Sequence, residues 1–282
     1  MIRSDERIGD LAAWVYRPDA PNGTCVVMAH GFSLTRHDGL EPFAEAFADA
    51  GATVVCFDHR FLGDSGGRPR QRFRASAQLA DWRAAIDYAR RLAGVDRIVL
   101  WGYSFSGGHC ATTAARDGRL AAVMLLCPFL DGIDRVRATP LKVIGWITPR
   151  ALADAAGRHT TIPVTGPPGS LAAMPLAGEG DGFAAVVGDG SPWRNEISPA
   201  VFLTVAAHRP WARAARLTMP VWVGEGERDI TVSPKGIRKL IDRAPDARLL
   251  RYDADHFTVF LPPVRDQIIA DQLAFLRERH LL

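Results

Sequence analysis

Gly102-Tyr103-Ser104-Phe105-Ser106-Gly107 follows the apolar run Arg97-Ile98-Val99-Leu100-Trp101 and precedes a stretch of small residues, 108–115. Strand formers, a tight turn and a helix therefore meet at one serine. This is the layout of a nucleophile elbow, in which the serine backbone is strained and small neighbours let strand and helix approach closely. Ser104 is the candidate nucleophile. Position 106 carries serine where the usual pattern has glycine, and serine is small enough to keep the steric argument. Read alone, the string also fits a glycine-rich strand-to-helix connection, so the assignment depends on partners elsewhere in the chain.

Working outward, the same alternation recurs. Strands are expected at 11–16 and 24–29, separated by a turn at 18–23, and again at 52–57. Leu40, Phe43, Ala44 and Phe47 fall at i, i+3, i+4 and i+7 and predict a helix over 38–50 that Gly51 ends. Leu79, Trp82, Ile86 and Ala89 mark the next helix, 98–101 a strand, 104–116 a helix and 121–127 a strand. The pattern resumes with a strand at 220–223, a helix around Ile237, Leu240 and Ile241, a strand at 247–252 and a last helix with Ile269, Leu273 and Leu276. Continuous apolar strands alternating with amphipathic helices predict an α/β fold whose mostly parallel sheet is covered on both faces.

Residues 130–216 break the alternation. They hold a Gly/Pro-rich centre, 162–192, with helical flanks such as 138–156, and are too long for a plain connection in a compact domain. The expected organisation is a core of 1–129 and 217–282 with a cap or lid, 130–216, inserted before the strand that leads to the acid. Trp146, Phe183, Trp193, Phe202 and Trp211 are candidates for a pocket lining there, with Trp146, Phe183 and Trp193 the first choices. The competing role for each is to pin the cap to the core.

Composition bounds the function. With 282 residues, 48% hydrophobic, 23% charged and a net charge of +3, the chain reads as an ordinary globular protein. No basic block alternates with aromatics, so nucleic-acid binding has no support. Arginine far outnumbers lysine, a bias assigned to the source rather than to function. Cys25, Cys56 and Cys127 lie in strands and Cys110 in a helix, without CxxC or Cys/His metal spacing. They read as small buried hydrophobes in a reducing compartment. The charged N-terminus lacks an apolar signal region and no apolar run is long enough for a bilayer, so the expectation is a cytoplasmic protein with no membrane partner.

A serine hydroxyl needs a base, normally a histidine oriented by a carboxylate. His256 follows the last strand and Asp229 follows the strand 220–223, so a parallel sheet places both on the rim that carries Ser104. Asp131 and Asp255 are rival acids, although Asp255, adjacent to His256, should point elsewhere. His30 ends an earlier strand, while His208 and His280 lie in the cap flank and the terminal helix. Two backbone N–H groups should hold the oxyanion, those of Phe105 after the serine and of Phe32 in His30-Gly31-Phe32-Ser33. His30 is then a loop-fixing residue.

Taken together, His30-Gly31, the segment Asp58-His59-Arg60-Phe61-Leu62-Gly63-Asp64-Ser65-Gly66-Gly67, the elbow, Asp229 and His256 resemble the alpha/beta-hydrolase superfamily in residue type and order. The resemblance covers the chain except 130–216. It is to the branch of serine esterases, thioesterases and peptidase-like hydrolases that includes fungal polyketide-processing hydrolases. It implies a structural role for the segment 58–67, with Arg60 pairing nearby acids, and it implies ester or thioester cleavage with no metal or organic cofactor. Serine at the elbow disfavours the dehalogenases and epoxide hydrolases of this fold, which use aspartate. An acyltransferase, an amide or carbon–carbon bond hydrolase and a non-catalytic ligand-binding homologue are the alternatives. The expected partner is a small-molecule acyl substrate, and a homo-oligomer stays open.

Overall fold

The computed structural model describes residues 1–282. Eight strands form one sheet: β1 (Ile2–Ile8), β2 (Leu11–Arg17), β3 (Thr24–Ala29), β4 (Thr53–Phe57), β5 (Arg97–Tyr103), β6 (Ala122–Leu126), β7 (Val221–Gly226) and β8 (Ala247–Tyr252). Their spatial order is β1-β2-β4-β3-β5-β6-β7-β8. β2 is antiparallel to β1 and β4, and all other pairs are parallel. The strands β3, β5 and β6 are buried almost throughout, which is why they read as unbroken apolar runs.

The helices are α1 (Glu41–Asp49), α2 (Ala75–Ala89), α3 (Phe105–Ala114), α4 (Gly132–Ala138), α5 (Leu141–Ala153), α6 (Glu179–Val186), α7 (Pro234–Ile241) and α8 (Val264–Glu278). Successive strand side chains point to opposite faces and divide the interior in two. Val26, Met28, Trp101 and Met124 pack with Phe43 and Phe47 of α1 and Phe275 of α8. Cys25, Val27, Leu100 and Val123 pack with Trp82 of α2, Ala111 of α3 and Ile237 of α7. All four cysteines are buried and unpaired. No helix is long and apolar enough to cross a membrane.

Three sequence expectations change. β1 escapes the apolar-run reading because Arg3, Asp5 and Arg7 alternate with Ser4 and Glu6 along an edge strand that is largely exposed. Charge of this kind is how an edge avoids pairing with another chain. α8 is rotated by one position: Ile268, Gln272, Phe275 and Leu276 are buried, while Ile269 and Leu273 are only partly buried. Gln272 faces inward because its Oε1 accepts a hydrogen bond from Trp101 Nε1 at 3.0 Å. Finally, the Gly/Pro-rich centre of the segment between β6 and β7 contains a helix, α6, that no periodicity marked. The whole segment holds α4, α5 and α6 and 3₁₀ turns at Pro199–Leu203, Val205–Ala207 and Pro210–Arg216.

Candidate active site

Ser104 sits between β5 and α3 with φ 52° and ψ −116°, a conformation that costs an L-residue about 1–3 kcal/mol. Backbone hydrogen bonds hold it there. Its N–H donates to the Leu126 carbonyl at 3.0 Å, and its own carbonyl accepts from Phe129 at 2.8 Å and Gly108 at 3.2 Å. A Cβ on Gly102 would lie 2.5 Å from the Ser106 carbonyl oxygen, so strand and helix approach this closely only over glycine. Ser106 is buried, and its Oγ donates to the His30 carbonyl at 2.5 Å. The residue in the place of the usual glycine is therefore a hydrogen-bonding group as well as a small one.

His256 Nε2 lies 3.0 Å from Ser104 Oγ, and His256 Nδ1 lies 2.6 Å from Asp229 Oδ2. The imidazole and the carboxylate are each only 3% exposed. Asp229 is aimed by its own loop, because Oδ1 accepts from the N–H groups of Thr231 at 2.8 Å and Val232 at 3.0 Å. Tyr103 Oη donates to the His256 carbonyl at 2.6 Å and fixes the histidine loop from the elbow strand.

The rival acids are engaged elsewhere. Asp131 caps α4 through the Ile133 N–H and accepts from Lys239 Nζ at 2.8 Å and Trp211 Nε1 at 2.9 Å. Asp255 accepts from the N–H groups of Phe257 and Thr258, both at 2.8 Å. His30 is held within its loop. Its Nδ1 accepts from the Gly31 N–H at 2.9 Å, its Nε2 donates to the Asp38 carbonyl at 2.6 Å, and burial pushes its pKa down to about 3. Arg60 pairs with Asp81.

The N–H groups of Phe32 and Phe105 have no acceptor within the protein. Phe105 opens α3, where the first N–H groups of a helix have no intrahelical partner. A Cβ on Gly31 would lie 2.7 Å from Ser104 Cβ, so glycine is what lets the Phe32 loop close on the serine.

A cavity opens at Ser104, lined by Phe32, Phe105, Phe129, Met174, Val201, Phe202 and Val232 among others. Most of this lining was missed in the sequence, since residues such as Met174 and Val201 come from irregular or 3₁₀ segments without periodicity. Trp146, Phe183 and Trp193, the first choices there, are not part of it. Trp146 carries the Arg150 guanidinium over its ring. Phe183 stacks on Trp193 and packs at a tilt against Phe257, and Trp193 Nε1 donates to Ser33 Oγ at 3.0 Å. Phe183 and Trp193 tie their segment to the loops beside Phe32 and His256, and Trp211 seals Asp131. Of the five aromatics, Phe202 alone lines the cavity.

Two polar features were also missed. Glu179, almost fully buried, pairs with Arg135 at 3.1 Å and accepts from Thr231 Oγ1 at 3.1 Å, which links α4, α6 and the Asp229 loop. A second recess, where the charged residues Glu179, Arg228 and Asp255 stand beside Ile230 and Phe257, reaches His256 from another side and shares Thr231 with the first cavity. As a possible cation site, Cys127 Sγ lies within 4.8 Å of ligand atoms of Asp229 and His256. Burial, with the Asp229 charge, raises the Cys127 pKa far above its ordinary range, so the group remains a thiol and a poor metal ligand.

Comparison with known proteins shows the family of the chain. The alpha/beta hydrolase fold model matches residues 24–263. The quorum-quenching protein AidA of Acinetobacter baumannii (strain MDR-ZJ06) is 34% identical over 284 residues, covering 98% of this chain and 93% of that protein. The thiohydrolase aneE of Aspergillus aculeatus is 31% identical over 63% of this chain and 58% of its own length. The crystal structure of the alpha/beta hydrolase GrgF from Penicillium sp. sh18 superposes with a TM-score of 0.83 at 22% identity over 99% of both chains. The match begins at β3 and runs past β8 into the loop before α8, with a serine at the β5 turn, and the chain belongs to the alpha/beta hydrolase fold family.

Proposed function

We propose that the protein is a serine hydrolase that cleaves a carboxylic ester or thioester of a small-molecule acyl substrate. The observation that carries this reading is the continuous hydrogen-bonded series from Ser104 Oγ through the His256 imidazole to Asp229. Ser104 Oγ attacks the carbonyl carbon while His256 Nε2 takes the hydroxyl proton. Asp229 holds the imidazole in the tautomer with Nδ1–H and stabilises the imidazolium that forms. The carbonyl oxygen becomes an oxyanion facing the Phe32 and Phe105 N–H groups, which are worth most in a site shielded from water. His256 then gives its proton to the leaving alcohol or thiol, and water, deprotonated by the same imidazole, releases the acid from Ser104.

The two openings support a division of labour. The apolar cavity on the Ser104 side suits a hydrophobic acyl chain, and the recess on the His256 side, with Glu179, Arg228 and Asp255 in its wall, suits the leaving group and water. Residues 130–216 act in this reading as the cap, since Met174, Val201 and Phe202 complete the acyl cavity. Relatives named for thiohydrolase and lipase activity support acyl transfer to water as the reaction class. The test is turnover of p-nitrophenyl esters and acyl thioesters of graded chain length by wild type and Ser104→Ala. Loss of at least a thousandfold in kcat is expected, and an unchanged rate would sink the assignment.

A further inference from the structure

We propose that Ser106, His59 and Asp81 form a buried positioning relay that holds the oxyanion loop against the elbow. It rests on the hydrolase reading of Ser104. Ser106 lies in the first turn of α3, two residues beyond Ser104, and is 1% exposed. Its Oγ lies 2.5 Å from the His30 carbonyl and 3.1 Å from His59 Nε2, and His59 Nδ1 lies 3.4 Å from Asp81 Oδ2. His59 and Asp81 are also buried.

The proton count fixes the direction of the relay. A carbonyl oxygen only accepts, so the single hydroxyl proton of Ser106 goes to His30. Ser106 Oγ must then accept from His59, and Nε2 of that ring carries a proton. Burial alone would raise the Asp81 pKa, but hydrogen bonds and charge from His59 and Arg60 outweigh it and leave the pKa below the ordinary value. Asp81 is therefore an ionised acceptor. It accepts from the Arg60 N–H at 3.1 Å and from the Arg60 guanidinium, and on its other flank the His59 ring lies 3.4 Å away.

The consequence lies at the other end. The His30 carbonyl opens the loop that presents the Phe32 N–H, and Ser106 makes the one hydrogen bond between that loop and the first turn of α3. The loop is already fixed on its far side, where the His30 ring binds the Gly31 N–H and the Asp38 carbonyl. With glycine at position 106, packing alone would set the distance between the loop and the elbow. Here a directional bond, braced by an ion pair, sets it. Oxyanion donors act through geometry, and a displacement on the order of 1 Å costs about a hundredfold in rate.

The test compares Ser106→Ala, Ser106→Gly, His59→Ala and His59→Gln with wild type, each checked by circular dichroism and thermal unfolding. Gln keeps an N–H donor where His59 Nε2 stands. For Ser106→Ala, Ser106→Gly and His59→Ala, kcat should fall about 10–100-fold with KM within about threefold. Affinity for an alkylboronic acid, which mimics the tetrahedral intermediate, should fall in parallel while affinity for the product acid stays constant. His59→Gln should recover most of the loss. The proposal is overturned if folded Ser106→Gly and His59→Ala both keep kcat and boronate affinity within twofold of wild type. It is likewise overturned if kcat falls while boronate affinity does not. Failure of the hydrolase reading looks different, because wild type itself would then show no turnover and no boronate binding.

Discussion

Asp229 Oδ2 meets His256 Nδ1 at 2.6 Å while the carboxylate's other oxygen is tied to two backbone N–H groups of its own loop. The acid therefore orients the ring from a fixed mount. Asp229→Asn preserves the shape but favours the tautomer with Nε2 protonated, which cannot take the Ser104 proton. A fall in kcat of about 10³–10⁴-fold with little change in KM is expected in steady-state ester hydrolysis. Asp131→Asn should leave kcat within about twofold and cost about 1 kcal/mol in denaturant unfolding, because Lys239 and Trp211 lose their charged acceptor. Equal activity losses in the two variants would contradict the assignment of the acid.

Met174 closes part of the cavity at Ser104 and is 7% exposed. Met174→Ala should lengthen the space available to the acyl chain. Each extra methylene accommodated is worth about 0.8 kcal/mol, or about fourfold in kcat/KM, so the chain-length optimum should move to longer esters. An unmoved optimum on the graded ester panel would place the acyl group outside this cavity.

Burial lowers the pKa of His30 to about 3 and that of His208 to about 4. A histidine in the unfolded chain titrates near 6.5. Between pH 6.5 and these lower values the unfolded state binds more protons, so stability falls as pH falls and is insensitive to these groups above pH 6.5. Each contributes a slope of about 1.4 kcal/mol per pH unit. His208 stacks against Phe105 and Phe129, so His208→Phe keeps an aromatic ring in place and removes one titration. Denaturant unfolding at pH 6.5 and pH 5 should show the variant losing about 2 kcal/mol less than wild type. Equal losses would show that His208 is not held neutral by the fold.

The sheet and its flanking helices were legible because a parallel strand buried on both faces has to be apolar along its length, as 98–101 and 121–127 are. β1 was not, since an exposed charged edge leaves no apolar pattern. The rim positions of Ser104, Asp229 and His256 followed from strand order alone, and the structure brings the three side chains within hydrogen-bonding distance. What pattern could not supply was contact between distant irregular segments. Phe183 and Trp193 look like pocket aromatics by composition, yet they stack on each other and Phe183 packs at a tilt against Phe257, while Met174 and Val201 line the cavity at the serine. The partner of Ser106 was equally hidden, because His30 lies 76 positions away and meets it only through the register of β3 beside β5.

The central claim is that Ser104 is a nucleophile activated by His256. Intact-mass and peptide mass spectrometry after reaction with a fluorophosphonate tests it most directly. The account predicts one adduct per chain, located on Ser104, formed far more slowly in His256→Ala and absent in Ser104→Ala. No adduct on folded wild type, or an adduct that persists in Ser104→Ala, would contradict it.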